Sequence, residues 1–265
     1  MIYTALTIAG SDPSGGAGIQ ADLKTFHQFQ VYGQAVITLL TVQNTQKVQA
    51  VLSIEADFVG AQLDAVLEDI PPAAVKTGAL GNQAIIEVIS TRKLANLVID
   101  PVMISKHGAP LMEESAQQAL IQLLFPKALL VTPNLPEAAA ICGTARPPKD
   151  AARQIHDLGA RNVLIKGGHQ TGNTATDLLL MDGQFMEFSA ARIQTHHTHG
   201  TGCTFSAAIT ALLARGTALP KAVEIAKGWI TEAIKTNPGL GKGSGPVNHF
   251  SAINKQDSAY LREDS

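Results

Sequence analysis

The segment from His199 to Ala208 contains the residues of this sequence best suited to binding an anion. It reads HGTGCTFSAA, with small residues directly before a helical pattern. Several backbone N–H groups can therefore converge on one point without obstruction by side chains, and the helix N-terminus adds a favourable field for anionic oxygen. Donors fixed in this way stabilise the charge that develops in phosphoryl transfer. A Gly-Thr-Gly triplet alone is equally compatible with a glycine-containing helix cap.

Further segments with chemically useful residues follow one another in a recognisable order. They are AGSDPSGGAGIQADLKT from Ala9, TVQNT from Thr41, VKTGAL from Val75, DPVM from Asp100, TPNLPE from Thr132, KGGH from Lys166, HTHGTGC from His197 and GKGSGPVNH from Gly241. Over about residues 5–249 the chain resembles the ribokinase-like hydroxymethylpyrimidine/phosphomethylpyrimidine kinases of thiamine synthesis. The resemblance implies ATP-dependent phosphorylation of 4-amino-5-hydroxymethyl-2-methylpyrimidine, and then of its monophosphate to the diphosphate.

In this family the GTGC segment forms the anion hole, so the resemblance makes Gly200, Thr201 and Gly202 catalytic candidates. Cys203 stands where many ribokinase-like kinases carry a catalytic Asp. A thiol at a helix N-terminus can have a depressed pKa, so we expect Cys203 to act as the general base. The alternative is a small, half-buried cysteine without a chemical role.

Four residues are candidates for the substrate pocket. The Gln43 amide offers a donor pair and an acceptor, which matches an aminopyrimidine edge, although a turn-stabilising amide is the alternative. The resemblance implies that Gly10 borders the pyrimidine and that Asp22 contacts the hydroxymethyl region. An exposed carboxylate on a helix face is the alternative for Asp22. Ala79 replaces the methionine that the family usually places beside the ring.

Five residues are candidates for binding ATP and Mg²⁺. Lys166, at a predicted strand end before two glycines, could neutralise phosphate charge, with Asn134 and Lys242 nearby. Mg²⁺ prefers oxygen ligands, so Glu137 and Asp100 are the candidate metal residues. The alternatives are a helix N-terminal charge for Glu137, a strand-end turn for Asp100, and a solvated tail for Lys242.

Other functions stay open at this point. Ala79 keeps a pyridoxal or pyridoxine kinase possible, because that enzyme performs the same chemistry on another hydroxymethyl heteroaromatic ring. A non-catalytic pyrimidine sensor on a kinase-like fold is a second alternative. The closely spaced His196, His197 and His199 suggest a transition-metal site, but no zinc-type Cys–His spacing surrounds them.

Short apolar runs alternate with longer amphipathic runs, which predicts a three-layer α/β/α domain with a mostly parallel sheet. An Asp182-Gly183 turn predicts an antiparallel hairpin at one edge. The predicted strands are 4–9, 34–42, 73–77, 97–100, 129–131, 163–166, 177–181 and 184–188. The predicted helices are 19–29, 55–67, 84–93, 116–124, 136–141, 149–158, 202–213 and 221–235. Ligands of such sheets bind at the carboxyl ends of the strands.

The composition excludes several classes of function. The chain has 265 residues, 45% of them hydrophobic, and a formal charge of −2, so no broad basic surface is offered to nucleic acid or anionic lipid. Two cysteines and an N-terminus unlike a signal peptide favour a reducing, cytoplasmic location. We expect one ribokinase-like domain over residues 1–265, with its core at about 4–249, a small-molecule substrate, and a homodimer as a possible assembly.

Overall fold

Residues 2–103, 111–169 and 172–253 are described by the computed structural model of the protein. Their strands form one nine-stranded sheet in the order β3-β2-β1-β4-β5-β6-β7-β8-β9. The strands are β1 (Tyr3–Ser11), β2 (Val31–Gln43), β3 (Val48–Ser53), β4 (Ala74–Thr77), β5 (Val98–Ile99), β6 (Leu130–Val131), β7 (Val163–Ile165), β8 (Thr174–Met181) and β9 (Gln184–Ala191).

Eight α-helices accompany the sheet in the described part of the chain. They are α1 (Gly18–Gln28), α2 (Ala56–Asp69), α3 (Gln83–Ser90), α4 (Glu114–Ala119), α5 (Leu135–Cys142), α6 (Pro148–Asp157), α7 (Thr201–Ala214) and α8 (Leu219–Lys235). Short helical turns occur at Leu120–Leu124, Phe125–Lys127 and Gly167–His169. None of the described helices is long and apolar enough to cross a membrane.

Two hydrophobic cores lie on opposite faces of the sheet. Successive side chains of a strand point to opposite faces, and in β4 Ala74 packs with α1, α7 and α8 whereas Val75 packs with α2 to α6. The same alternation recurs in β5, where Val98 and Ile99 belong to different cores. The predicted three-layer α/β/α architecture is therefore confirmed.

The order in which successive strands are added to the sheet reverses at β1, since β2 lies on one side of it and β4 on the other. This strand pairs in parallel with β2 on one side and β4 on the other, and β5, β6 and β7 continue in parallel beyond β4. The connections that leave the carboxyl ends of β1 and β4 lead to opposite sides of this pair, and open α/β sheets bind ligands at such a switch point. The predicted hairpin is also confirmed, since Asp182 and Gly183 both have positive φ between β8 and β9.

The sheet differs from the sequence prediction at its other edge. β2 extends to Gln43, and β3 pairs with it in an antiparallel ribbon that was not predicted. β3 escaped prediction because its residues are exposed or half-buried, so it lacks the apolar alternation of a strand with one buried face. The predicted helix 116–124 was also wrong in its second half, where Leu120–Leu124 forms a π-helical turn.

Candidate active site

The start of α7 lies directly against the glycine-rich loop that follows β1. Gly200 caps α7 with φ 76°, and a Cβ atom there would lie 1.7 Å from the carbonyl oxygen of Gly16. Only glycine fits this position, because both the backbone conformation and the space exclude a side chain. Asp12 closes the facing loop by accepting hydrogen bonds from the backbone N–H groups of Ser14 and Ala17, both at 2.9 Å. Two distant segments of sequence thus form one rigid surface.

Lys166 places a buried ammonium group beside this helix start. Its Nζ lies 2.7 Å from Oδ1 of Asp100, which is itself buried. A Cβ atom at Gly202 would lie 3.3 Å from the same Nζ, so the glycine lets the ammonium approach the backbone of α7. Ser206 also donates to Asp100 at 3.2 Å, which ties the carboxylate to α7.

Asn134 and Glu137 form a capping box at the start of α5. The Asn134 side chain accepts from the Glu137 N–H at 2.9 Å, and Glu137 Oε2 accepts from the Asn134 N–H at 2.8 Å. The same Oε2 lies 3.9 Å from Lys166 Nζ. Burial raises the pKa of Glu137 to about 7; the charge of Lys166 opposes this effect and that of Asp100 adds to it. Glu137 therefore combines its two predicted roles, since it is the charge at a helix N-terminus and also lies beside the Lys166–Asp100 pair.

A second buried lysine, Lys76 on β4, was missed by sequence reasoning. Its Nζ lies 2.9 Å from Oδ2 of Asp22 on α1, and both side chains are fully buried. Thr7 donates to the same carboxylate oxygen at 2.6 Å. The alternative interpretation, in which Asp22 is an exposed carboxylate on a helix face, is therefore wrong. Because Asp22 is fully buried, it can affect a ligand only through neighbouring residues such as Lys76. A lysine within the short apolar strand 73–77 was the signal that could have revealed this pair.

Cys203 lies in the first turn of α7, half-buried. Burial raises the pKa of its thiol to about 11, whereas the charge of Lys76 acts in the opposite direction. Asp100 and Asp22 add to the increase, and a hydrogen bond with the Gly18 N–H reduces it. The expected depressed pKa is therefore wrong, because desolvation and two nearby carboxylates outweigh the helix terminus and the charges of Lys76 and Lys166.

Gln43 reaches the site from the end of β2. Its Nε2 lies 3.2 Å from Nε2 of His199, which in turn lies 2.7 Å from Oδ2 of Asp12. The adjacent Asn44, rather than Gln43, stabilises the turn to β3, since its side chain accepts from the backbone N–H groups of Gln46 and Lys47. The half-buried Gln43 side chain is thus not used for the turn.

The other predicted pocket residues lie close to β2. A Cβ atom at Gly10 would lie 2.4 Å from the Leu39 side chain, so strand packing explains this glycine. Ala79 is half-buried, and its carbonyl accepts from Thr38 at 2.6 Å. Their contact with a substrate stays a prediction.

The glycine-rich segment 239–245 packs against the turn between β2 and β3 rather than extending freely. The Gly243 N–H donates to Thr45 at 3.2 Å, and the Gly245 N–H donates to Nδ1 of His197 at 3.1 Å. Lys242 itself is exposed, which agrees with the alternative interpretation of this residue as part of a solvated tail. Within the three described ranges, no group of three or more His, Cys, Asp and Glu side chains could hold a metal ion.

The arrangement suits the transfer of an anionic group. Two buried ammonium groups flank the first turn of α7, where the N–H groups of the GTGC segment have no partner within the helix, although that of Thr201 donates to the Thr198 carbonyl at 3.3 Å. Three parallel strands deliver these groups, since Lys76, Asp100 and Lys166 lie in β4 or directly after β5 and β7. Preorganised ammonium and backbone N–H groups of this kind stabilise the charge on phosphoryl oxygens.

Comparison with known proteins agrees with this chemistry. Residues 12–248 match the family model described as phosphomethylpyrimidine kinase. Proteins named hydroxymethylpyrimidine/phosphomethylpyrimidine kinase are 46% identical in Bacillus subtilis, over 94% of this chain and 95% of the relative, and 47% identical in Haemophilus influenzae, over 94% and 97%. The thiamine biosynthesis bifunctional protein ThiED of Geobacter sulfurreducens is 46% identical; 94% of this chain covers 52% of its length.

Solved structures place the fold in the same group. A Bacillus subtilis pyridoxal kinase in complex with ADP superimposes with a TM-score of 0.87 at 40% identity, over 95% of this chain and 98% of that one. A phosphomethylpyrimidine kinase from Clostridium difficile gives a TM-score of 0.75 at 44% identity, over 88% and 99%. The predicted ribokinase-like fold and the predicted kinase activity are confirmed. The chain belongs to the phosphomethylpyrimidine kinase family.

Proposed function

We propose that this protein transfers phosphate from ATP to 4-amino-5-hydroxymethyl-2-methylpyrimidine, and then to the resulting monophosphate, in thiamine biosynthesis. The observation that carries the proposal is the pair of buried lysines at the glycine-rich start of α7, within a chain that matches the family over residues 12–248. Burying a charged lysine is expensive unless it is paired, and both of these paired lysines still interact electrostatically with Cys203 in the first turn of α7.

The residues around Lys166 fit the phosphates of ATP. Gly202 leaves room that a Cβ atom would fill, 3.3 Å from the lysine Nζ, and the adjacent N–H groups of α7 can donate to anionic oxygen. Lys166 would neutralise phosphate charge, and Asn134 would lie beside it through the bridge between the two residues. Lys242, exposed on the neighbouring loop, would contribute only a peripheral charge.

The oxygen donors near Lys166 fit Mg²⁺. Glu137 is the stronger candidate, because Asp100 is already paired with Lys166 at 2.7 Å and with Ser206. When bound, Mg²⁺ neutralises the charge of the phosphate oxygens. A raised pKa means that Glu137 binds the cation best once it is deprotonated, above about pH 7.

On the acceptor side, we assign Gln43 to the aminopyrimidine edge, with Gly10 and Ala79 as neighbouring walls and Asp22 acting through Lys76. Cys203 would accept the hydroxyl proton in the first step. Only its thiolate can accept this proton, and the raised thiol pKa of about 11 makes the thiolate a minor species at neutral pH that grows as pH rises. The second acceptor is already anionic and needs positioning more than a base.

Consumption of ATP with hydroxymethylpyrimidine, its monophosphate and pyridoxal, measured in parallel with products identified by mass, tests the proposal. Turnover of both pyrimidines with far higher kcat/KM than pyridoxal is expected. Binding of the pyrimidines without any turnover would instead identify a sensor that has lost catalysis.

A pyridoxal kinase is the second candidate function. The superposition with the Bacillus subtilis pyridoxal kinase favours it, and so does Ala79, because a small residue widens the pocket wall beside the ring. Preference for pyridoxal in the same assay would keep the fold and the phosphoryl-transfer site but transfer the enzyme to vitamin B6 metabolism.

Three further predictions accompany the proposal. A cytoplasmic location suits a kinase that uses ATP. One domain over the whole chain is supported by the continuous nine-stranded sheet. The homodimer stays a prediction, and light scattering on the purified protein would measure its mass.

A further inference from the structure

Three residues from distant motifs meet behind the proposed pyrimidine pocket. His199 Nε2 lies 2.7 Å from Asp12 Oδ2 and 3.2 Å from the Gln43 amide. Asp12 and His199 are each 3% exposed, whereas Gln43 is only half-buried and can also face a ligand. The order is therefore a buried carboxylate, a buried imidazole, and then the amide that would touch the substrate.

The partners of Asp12 determine which atom carries the proton at this contact. Burial alone would raise the pKa of Asp12, but hydrogen bonds from His199 and Ser14 outweigh burial, so the pKa is lowered and the carboxylate is ionised. An ionised carboxylate only accepts hydrogen bonds. His199 Nε2 at 2.7 Å must therefore carry a hydrogen and donate it to Asp12, whether the ring is neutral or charged.

This protonation also decides how the Gln43 amide must lie. A protonated Nε2 has no lone pair, so it cannot accept from the amide NH₂ group, and two donors would face each other. The two ends of an amide have nearly the same shape, and hydrogen-bond partners decide which end faces which. Turning the amide by half a rotation places its carbonyl oxygen against the same Nε2–H, which then makes a three-centre hydrogen bond with Asp12 at 2.7 Å and Gln43 at 3.2 Å, and places the NH₂ group on the opposite side.

We propose that Asp12 and His199 are positioning residues that hold the Gln43 carbonyl against His199 and present the Gln43 NH₂ group to the substrate ring. The inference rests on the proposed function, in which Gln43 reads the pyrimidine. It adds the direction of the hydrogen bond between them, since the Gln43 NH₂ group donates and the substrate ring must accept.

The required acceptor is the ring nitrogen beside the exocyclic amine of the aminopyrimidine. In the deaminated 4-oxo analogue, the same nitrogen carries a hydrogen and becomes a donor. A fixed NH₂ group therefore rejects the 4-oxo ring, because two buried donors are left unpaired. An amide that is free to turn would accept both rings.

The test compares kcat/KM for hydroxymethylpyrimidine with kcat/KM for its 4-oxo analogue in four proteins. These are the wild type, His199→Leu, which removes the donor, His199→Gln, which keeps an N–H at similar reach, and Gln43→Glu, which replaces the NH₂ group with an acceptor. The ratio of the two values is the readout, because a variant that is merely less well folded loses activity on both rings equally.

We expect His199→Leu to raise KM for hydroxymethylpyrimidine about tenfold, with little change in kcat or in KM for ATP, and to lower the ratio about tenfold. His199→Gln should stay within about threefold of the wild-type ratio. Gln43→Glu should lower the ratio by about 100-fold, since it favours the 4-oxo ring. Should His199→Leu fail to fold, the other two variants still decide.

An unchanged ratio in His199→Leu, or a wild-type preference retained by Gln43→Glu, would overturn the inference while the proposed function stands. Failure of the proposed function appears separately, as a wild-type protein that turns over neither pyrimidine. In that case calorimetric affinities for the two rings supply the same ratio, with the same expected order among the variants.

Discussion

Two buried ammonium groups, of Lys76 and Lys166, lie beside the start of α7. Lys76 pairs with Asp22 at 2.9 Å, and Lys166 pairs with Asp100 at 2.7 Å and has Glu137 at 3.9 Å. The attraction of these carboxylates outweighs burial and raises the pKa of both lysines, so both stay charged at neutral pH. The cost of desolvating four charges is high, and the two ion pairs offset it because each buried charge has an opposite charge within about 3 Å.

Cys203 provides the first prediction at this scale. Its thiolate fraction increases about tenfold per pH unit below the pKa of about 11, so a base role makes the first phosphorylation faster as pH rises from 7 to 10. Cys203→Ala should lose this pH dependence and at least about tenfold in kcat for hydroxymethylpyrimidine, with a smaller loss for the monophosphate. Steady-state rates for both substrates across that pH range measure it. Equal losses in the two steps would show that Cys203 is not a base.

Glu137 provides a prediction about stability. Its pKa of about 7 in the folded protein lies above the ordinary value of 4.5, so the folded chain keeps a proton that the unfolded chain has released between these pH values. The contribution of Glu137 to the free energy of unfolding therefore falls as pH rises from 4.5 to 7. Glu137→Gln keeps a cap acceptor but does not titrate, so its stability relative to wild type should increase by about 1 kcal/mol or more across this window.

Urea denaturation at several pH values measures this difference. Glu114→Gln, an exposed carboxylate in the first turn of α4, controls for loss of a charge near a helix N-terminus. A relative stability of Glu137→Gln that is independent of pH would contradict the raised pKa.

At the scale of elements, the site depends on how closely α7 approaches the loop after β1 and how firmly α1 is held on the sheet. The first contact is backbone against backbone at Gly200 and Gly16. The second is the ion pair between Asp22 on α1 and Lys76 on β4. Neither contact involves neighbours in sequence, and both help to fix the GTGC turn beside the carboxyl ends of β1 and β4.

Gly200→Ala should disrupt the first of these contacts. An alanine there has an unfavourable positive φ and places Cβ 1.7 Å from a carbonyl oxygen, so the helix start must shift. We expect kcat/KM to fall by about 100-fold or more and the free energy of unfolding by about 2 kcal/mol. Gly216→Ala, with φ 82° and no atom within 4 Å of its Cβ, is the matched control and should lose only about 1 kcal/mol while keeping its activity. Equal behaviour of the two variants would show that the Gly16 contact is unimportant.

Lys76→Met should destabilise the contact between α1 and β4. It leaves the Asp22 carboxylate buried without its cation, which costs about 3–5 kcal/mol in comparable cases. The double variant Asp22→Leu/Lys76→Met removes both charges and should recover much of that stability, though not the activity. Chemical denaturation of both single variants and the double variant gives the coupling energy. Additive losses would mean that the pair contributes little.

At the scale of the whole molecule, the last described segment ties several elements to the site. The Ser251 carbonyl accepts from Trp229 on α8 and from Gln28 on α1, both at 2.9 Å. Upstream in this segment, the Gly245 carbonyl accepts from the His199 N–H at 3.0 Å. The segment after α8 is therefore part of the framework that holds the GTGC turn.

A chain that ends at residue 243 should accordingly be less stable and less active than one that ends at residue 253. The shorter chain loses both hydrogen bonds to Ser251 and the burial of Val247, so we expect its Tm to fall by about 5–10 °C. Trp229 is the single tryptophan and is 3% exposed. Its fluorescence emission should therefore shift to longer wavelength when removal of residues 244–253 exposes the ring to water. Identical melting curves for the two chains would contradict this role.

The sequence determined the fold class and the position of most chemical groups along the chain. Alternating apolar runs predicted the three layers, and strand-end residues such as Lys166 and Asp100 were found where the topology of an open sheet requires them. These properties follow from local periodicity and from the rule that ligands bind at the carboxyl ends of strands. The family motifs added the identity of the substrate.

Only the tertiary structure decided which charges are neighbours and what their environment does to them. Lys76 and Asp22 are 54 residues apart, and Gln43 and His199 are 156 apart, so no local pattern predicts either contact. The helix terminus alone suggested a depressed pKa for Cys203, but burial among two carboxylates raises it. A pKa depends on desolvation and on charges within a few ångströms, and the three-dimensional packing of distant segments determines both.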